Sequence, residues 1–404
     1  MRLLIFNAGS SSLKFELLDL AKGPGSRLAG GTFADEDGNG RYRLTRQQPG
    51  AGTPPVASTL AEAAGFALDW LAGSGGSGRD LLATIDATAH RIVHGGARFR
   101  ATTVLNDEEI VALSELSALA PLHNPPALAV IEGVRRRLGS KLPLIGVFDT
   151  AYYASLPESA YRYAIPRDWS EQLGVRRYGF HGIAHRYLCQ QTRALLGSRV
   201  AQPRIVSLQL GRGCSATASV GDRPIATSMG FTPLEGLVMG TRSGDFDPGA
   251  MLYVMEKAGL TTEAMLRALN EKSGLLGLSG RTADMRELLA LEQAQNSAAM
   301  LAIEVFCRRA RHYLGAFLAE LGGADAIVFG GGIGENCPDI RTRIAGRLEW
   351  AGIRLGTPST PAATTGIVSL HDPASRVAVF AIPVDEAAVM AEEARSLLER
   401  GRGA

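Results

Sequence analysis

Apolar and polar positions first mark two hairpins along this chain. Leu3, Leu4, Ile5 and Phe6 form a short apolar run that reads as a buried strand. After the turn Asn7-Ala8-Gly9 and three serines, Leu13, Phe15 and Leu17 alternate with Ser12, Lys14 and Glu16, the period of a half-buried strand. The plan returns between Ile205 and Val220: an apolar strand, the small-residue turn Gly211-Arg212-Gly213, a second strand, then a Gly-Asp turn. Residues 28 to 46 read as further strands turned at Asp37-Gly38-Asn39-Gly40, and Gly50 to Pro55 as a loop. Thr59-x-x-Glu62 is a capping box opening a helix to about Ala72, and Asn106-x-x-Glu109 opens another. Gly73 to Gly78 reads as an exposed flexible tip. Ile85 to Val93 and Pro143 to Phe148 read as strands, the latter ending at Asp149. In the second half, aromatic-rich loops lead into the repeated hairpin. One long helical pattern then runs from Leu288 to Leu321 and stops at Gly322-Gly323. Asp325 to Phe329 is a strand leading into the loop Gly330 to Asn336, and Pro338 marks a helix first turn. Ala378 to Ile382 is the last strand, and Asp385 begins a C-terminal helix. The class expected from this alternation is α/β.

Composition narrows the function. The chain has 404 residues, enough for two domains, and 46% are apolar, so it is globular. A formal net charge of +2 gives no global case for nucleic acid or an anionic membrane. Only five residues are Lys, which makes Lys14, beside the first turn, more noticeable. Cys189, Cys214, Cys307 and Cys337 show no paired spacing, which argues against a disulfide framework or zinc site and fits a reducing, cytoplasmic setting. A strand beginning at residue 3 leaves no room for a signal peptide, and no apolar run reaches membrane-spanning length.

The two Gly turns carry the candidate chemistry. Small residues let the backbone approach a phosphate, and successive N–H groups make an anion-binding concavity. The first turn adds the hydroxyls of Ser10 and Ser12; the second is Gln209-Leu210-Gly211-Arg212-Gly213. The bland alternative is two ordinary hairpins with polar turns. Two such loops in two halves suggest a duplicated fold that grips a polyphosphate. No Gly-Lys-Ser/Thr phosphate loop occurs, and Gly332-x-Gly334 lacks the third glycine of a dinucleotide fingerprint because Cys337 stands there. Asp149 closes a strand where open α/β sheets bind ligands. His181 and His185 are four apart, but no acidic third ligand accompanies them, so a metal pair is disfavoured.

Several stretches together resemble the acetate kinases, in the superfamily of actin, sugar kinases and heat-shock chaperone ATPases. They are Phe6 to Phe15, His90-Arg91-Ile92-Val93-His94-Gly95-Gly96, Phe148-Asp149-Thr150-Ala151, and Arg177-Tyr178-Gly179-Phe180-His181-Gly182. Thr227 to Gly236 and Met239 to Asp245 follow, then Gly331 to Asn336 and Asp385-Glu386. Their order spans nearly the whole chain. The resemblance implies two duplicated actin-like (ribonuclease H-like) α/β domains with a central active-site cleft. The boundaries expected are 1–150, joined by the C-terminal helix 386–404, and 151–385. It implies ATP or ADP as co-substrate, Mg²⁺ with Mn²⁺ as an alternative, and a homodimer. The activity implied is reversible transfer of a phosphoryl group to acetate, giving acetyl phosphate. The family's metal positions fall on Asn7 and Glu386, its essential carboxylate on Asp149, its arginines on Arg91 and Arg242, and its stabilising histidine on His181. The nucleotide positions fall on Gln209 to Gly213, on Asp284, Met285 and Arg286, and on Gly332, Ile333, Gly334, Glu335 and Asn336. The pocket for the acetate methyl falls on Val93, Leu122 and Pro233, with Arg91 binding the carboxylate.

The residue chemistry agrees with this assignment. Phosphoryl transfer between two anions needs charge neutralisation and positioning. Two arginines and a histidine meet that need. Acetate is already ionised near neutral pH, so Asp149 is expected to position Mg²⁺ or an arginine rather than act as a base. His185 is expected to be structural. Three departures bear on donor choice and rate. Gln209 and Arg212 replace the family's usual His and Asn, Ile183-Ala184 replaces Thr-Ser, and Arg281-Thr282-Ala283 replaces a Ser-rich run. The alternatives are a kinase of propionate or another short acid, an enzyme with a different donor such as pyrophosphate, and a catalytically silent nucleotide-binding protein.

Overall fold

The period-2 pattern of the first hairpin forms as a two-strand ladder in the computed structural model of this protein, which describes residues 1–9, 12–23, 26–35, 40–46, 56–73, 80–121, 123–359 and 366–402. Arg2–Ala8 pairs antiparallel with Ser12–Asp19, placing Asn7 opposite Lys14 and Phe6 opposite Phe15. The backbone N–H of Gly9 closes the turn on the carbonyl of Ser12 at 2.8 Å. Ser10, Ser11 and Leu122 lie outside the described residues, as do positions 37–39 of the expected turn, the loop at 50–55 and positions 74–78 of the Gly/Ser tip.

The described chain divides into two compact units, one of Met1–Ala154 with Asp385–Ala404 and one of Ser155–Val384. Each is built on a mixed sheet. In the first, Arg27–Ala34, Ser12–Asp19 and Arg2–Ala8 lie side by side and antiparallel. Ala87–Ile92 then joins Arg2–Ala8 in parallel, and Leu144–Phe148 joins Ala87–Ile92 in parallel. In the second unit, Arg223–Thr227, Cys214–Val220 and Arg204–Leu210 are the antiparallel trio, continued in parallel by Ala326–Gly330 and Ala378–Ala381. The two units therefore repeat one strand order.

In the first unit, Leu4, Phe6, Ala8, Leu13, Phe15 and Leu17 face a core shared with the helices Leu60–Leu71 and Asn124–Leu138. Both N-caps form, although the Glu62 carboxylate accepts from the Ser58 N–H at 2.7 Å rather than closing the box on Thr59. Thr59 accepts from the Glu62 N–H at 3.1 Å, and Asn106 accepts from the Glu109 N–H at 2.9 Å. The C-terminal helix Glu386–Arg402 packs on the central strands of this sheet. The half-buried reading of the strand at 12–19 fails toward its end, where Glu16 and Leu18 on the second face are buried as well. Glu16 is only 1% exposed and meets Lys14 at 3.0 Å and Arg27 at 3.1 Å.

In the second unit, the helix Gly182–Leu196 contributes Leu188 and Cys189 to a core with Ile205, Ala326, Val328, Phe380 and Ile382. Ser207, Ser215, Thr217 and Ser219 are buried, although a polar alternation of this kind reads as a solvent face. The expected single helix from 288 to 321 is two, Met285–Gln293 and Ser297–Leu321. Gln295 takes a positive φ of 60°, and Asn296 accepts from the Ala299 N–H at 2.9 Å, so a cap restarts the helix inside a continuous apolar pattern. Gly322, at φ 64°, ends the second one with its N–H on the carbonyls of Leu318 and Ala319. The expected loop at 330–336 is instead a short helix, Gly331–Asn336. Among the described residues, no helix is long and apolar enough to cross a membrane.

Candidate active site

In the first unit, four predicted residues arrive from four separate elements. Asn7 stands near the end of the first strand, Arg91 near the end of Ala87–Ile92, Asp149 just past Leu144–Phe148, and Glu386 at the start of the C-terminal helix. Parallel strands bring their C-terminal ends to one edge, and side chains two apart share a face. The Arg91 guanidinium reaches Asp149 Oδ2 from Nη2 at 2.7 Å, and Nε lies 3.3 Å from each carboxylate oxygen. Its Nη1 donates to Asn7 Oδ1 at 3.0 Å and lies 3.9 Å from Glu386. Asn7 Nδ2 in turn donates to Glu386 Oε2 at 2.5 Å. Asp149 is fully buried, while the Arg91 and Glu386 side chains keep 14% and 18% exposure. Burial opposes the Arg91 charge, but Asp149 and then Glu386 outweigh it, so its pKa is raised. The result is a fixed cation with a carboxylate and an amide oxygen beside it.

A metal ion fits this edge modestly. Glu386 and Asn7 offer oxygen donors, the ligand type Mg²⁺ takes, and Mg²⁺ retains waters and uses few protein ligands. Among the described residues no group of three or more His, Cys, Asp or Glu could hold a metal. Val93 is buried directly after the Arg91 strand. Lys14 is engaged with buried Glu16, and Arg27 ties Glu16 to Asp385 at the head of the C-terminal helix, with Arg27 Nη2 to Asp385 Oδ2 at 2.7 Å. Neither Glu16 nor Arg27 stands out in the sequence, because only the fold brings Arg27 to Glu16 and to Asp385.

In the second unit, His181 takes a left-handed conformation, φ 56° and ψ 27°, at the head of Gly182–Leu196. His181 and Gln295 are the only described non-glycine residues at positive φ. Such a conformation away from glycine is strained, and it turns the imidazole toward the second Gly turn. A Cβ placed on Gly213 would lie 3.1 Å from His181 Cε1 and Nε2 and 3.5 Å from Arg242 Nη1. Glycine at 213 thus lets the turn, the imidazole and the guanidinium share one spot. Arg242 Nη1 also donates to the Pro233 carbonyl at 3.2 Å, bringing Pro233 to the group. The Pro233 loop is held by Arg177. Its Nη1 donates to the carbonyls of Thr227, Ser228 and Met229, and its Nη2 to Glu235 at 2.5 Å. Glu235 also accepts from Tyr163.

The predicted nucleotide residues divide. Gly211 backs onto the Gly332 backbone nitrogen, which a Cβ would meet at 3.9 Å, so the turn and the head of Gly331–Asn336 adjoin. Ile333 and Gly334 lie within that helix, and Asn336 Nδ2 donates back to the Gly332 carbonyl at 2.9 Å. Leu210 ends the strand before the turn with its side chain buried, and Gln209 Oε1 is buried with no hydrogen-bond partner. Arg212 is exposed, and its carbonyl accepts from the Gly240 N–H at 3.1 Å. Ser12 contributes its carbonyl to the first turn. Glu335 Oε1 accepts from Gly331 and Val384 N–H groups, so that oxygen braces the short helix. Asp284 caps Met285–Gln293 and pairs with Arg286 at 2.6 Å, and Met285 is core. The Arg286 bond is the main cause lowering the Asp284 pKa.

His181 and His185 do not converge as a metal pair. Ser215 Oγ stands between them, 2.8 Å from His181 Nδ1 and 2.7 Å from His185 Nε2. Burial first, and the neighbouring His181 ring second, push His185 well below the ordinary imidazole range.

Known proteins share the sequence pattern and the fold. A family model described as the acetokinase family matches residues 2–392. The chain is 42% identical over 405 residues to an acetate kinase of Solibacter usitatus, covering 97% of each. It superposes on a crystal structure of acetate kinase from Porphyromonas gingivalis with a TM-score of 0.85 and 35% identity, covering 98% of this chain and 99% of that one. A propionate kinase from Francisella tularensis superposes equally, TM-score 0.85 at 31% identity, over 97% of this chain and 98% of that one. Matched almost from end to end by the family model and by relatives well above 30% identity, the chain belongs to the acetokinase family.

Proposed function

We propose that this protein catalyses reversible ATP-dependent phosphorylation of acetate to acetyl phosphate. The observation that carries the reading is the end-to-end acetokinase match, and the charged residues that the chemistry demands are all present. Acetate attacks the γ-phosphorus as a carboxylate. One O–P bond forms, the bond to the bridging oxygen of ADP breaks, and no proton has to move, because a carboxylic acid of this type has a pKa near ~4 to 5. Catalysis is then positioning and charge neutralisation.

Arg91 binds the acetate carboxylate in this reading, with Asp149 and Asn7 fixing its guanidinium. Asp149 is an orienting carboxylate rather than a base; its bidentate approach to Arg91 supports that role. Arg242 and His181 donate to the transferring phosphoryl group. This reading assigns the acetate methyl to Val93, Leu122 and Pro233 on the family resemblance. This reading assigns Ser10, Ser12, Lys14, Gln209 to Gly213, Asp284 to Arg286 and Gly332 to Asn336 to the nucleotide. Asn7 and Glu386 hold Mg²⁺, which supplies charge neutralisation on the polyphosphate. The protein works in the cytoplasm, consistent with four free, buried cysteines. It works as a homodimer, supported by the helix Pro248–Ala258, which buries no residue and leaves Leu252 and Tyr253 each 62% exposed.

The equal superposition on a propionate kinase favours one second reading, a preference for a slightly longer acid. One methylene in an apolar pocket is worth only about 1–3 kcal/mol. Trapping the acyl phosphate as its hydroxamate, with ATP, Mg²⁺ and acetate, propionate or butyrate, decides between them. The expected order of kcat/KM is acetate first; a higher value for propionate gives the second reading, and no product with any acid rejects both.

A further inference from the structure

His185 has no place in the chemistry above, yet it is fully buried and bonded at both ring nitrogens. Its Nδ1 lies 2.7 Å from Ser207 Oγ and its Nε2 lies 2.7 Å from Ser215 Oγ, whose other neighbour is His181 Nδ1 at 2.8 Å. Ser207, His185 and Ser215 are all 0% exposed. Each hydroxyl carries one hydrogen, and a neutral imidazole carries one N–H. The hydroxyl contacts of Ser215 are the two rings; accepting from both would leave its own buried hydrogen without an acceptor, so Ser215 donates to one ring and accepts from the other, and the four side chains share a single polarity.

Only two polarities are self-consistent. Running inward, His181 Nδ1–H donates to Ser215, Ser215 to His185 Nε2, and His185 Nδ1–H to Ser207. The buried Ser207 hydrogen is then left with the Thr217 carbonyl at 3.5 Å, beyond good hydrogen-bond distance. Running outward, Ser207 donates to His185 Nδ1, His185 Nε2–H to Ser215, and Ser215 to His181 Nδ1. Every internal hydrogen then sits on a contact of 2.7 or 2.8 Å. Aligned bonds of this kind also polarise one another.

We propose that Ser207, His185 and Ser215 form an outward-directed hydrogen-bond relay that holds neutral His181 as its Nε2–H tautomer, with Ser215 and His185 as positioning residues. The inference rests on the reading of His181 as a donor to the transferring phosphoryl group. The relay presents an N–H at the side of the ring facing Gly213 and Arg242 without requiring a second proton on His181. It also assigns a purpose to polar residues on two adjacent strands that are otherwise costly to bury.

The test is ¹⁵N imidazole NMR of the full chain without ligand at about pH 8, where histidine is ordinarily neutral. His181→Asn and His185→Asn assign the two rings. The relay predicts Nε2 protonated and Nδ1 bare in both. Nδ1–H on either ring overturns it. Ser215→Ala is expected to lower kcat about tenfold through lost positioning, with both KM values unchanged. Ser215→Thr, which keeps the hydroxyl, is expected to recover the rate. An unchanged kcat in Ser215→Ala overturns the positioning role. His181→Ala separates this inference from the reading beneath it: full activity there rejects His181 as donor, whatever tautomer the spectrum shows.

Discussion

Arg91 meets Asp149 through two guanidinium nitrogens, with Nη2 2.7 Å from Oδ2, and Asp149 is fully buried while Arg91 is not. The carboxylate therefore anchors and the guanidinium reaches out. Arg91→Ala should lower turnover by about 10² or more, the size expected for losing one transition-state donor. It should also destabilise the fold by about 3–5 kcal/mol, because a buried carboxylate loses its counter-charge. Steady-state kinetics and urea unfolding read the two effects. Near-wild-type turnover in the folded variant would reject the role given to Arg91.

Arg242 shares its spot with His181 at Gly213. Arg242→Ala should cost turnover by about 10² or more. Arg242→Lys should not recover the rate fully, since an ammonium lacks the planar fork. Comparison of the kcat values checks both statements.

The proposed metal role of Asn7 and Glu386 is tested by chelation. Turnover should vanish in excess chelator and return with Mg²⁺. Glu386→Gln should raise the Mg²⁺ concentration for half-maximal rate by about tenfold or more. Full activity under chelation would remove the metal from the account.

His90 offers a pH test of stability separate from the chemistry. It is buried against Phe6, with ring centroids 5.3 Å apart. Burial lowers its pKa from 6.5 to about 3. Between those values the unfolded state binds a proton that the folded state does not, so stability falls as pH drops through that window. The slope approaches about 1.4 kcal/mol per pH unit for this one group. His90→Gln should flatten the loss relative to wild type in urea titrations from about pH 7 to about 4.5. An equal slope in both proteins would contradict the assignment.

Arg212 sits exposed in the second Gly turn. If its side chain neutralises nucleotide phosphates, Arg212→Asn should raise the ATP KM or shift donor preference and leave the acetate KM alone. A charge-assisted bond of this type is worth about 1.5–3 kcal/mol. An unchanged ATP KM and donor preference would place the side chain in solvent. A gain in turnover would mean that Arg212 obstructs the site.

Local chemistry made much of this legible. The first hairpin, the caps at Thr59 and Asn106 and the strand ending at Asp149 follow from residue periods and short-range hydrogen bonds. Asn296 shows the limit: the apolar period continues across it, and only its side-chain cap splits the helix. Glu16 and Ser215 show a second limit. Each alternates with apolar neighbours as a surface residue would, yet each is buried against polar partners, Lys14 and Arg27 for Glu16 and the rings of His181 and His185 for Ser215. In the first unit the predicted Asn7, Arg91, Asp149 and Glu386 meet, although residue type alone could not have paired them. The hydroxyl between His181 and His185 left no pattern in the sequence.

The most direct measurement is ³¹P NMR of the purified protein with ATP, Mg²⁺ and acetate, and then with acetyl phosphate and ADP. The account predicts an acetyl phosphate resonance growing as ADP appears in equal amount, and ATP forming in the reverse mixture. ATP consumed to inorganic phosphate without acetyl phosphate, or no change in either direction, would contradict it.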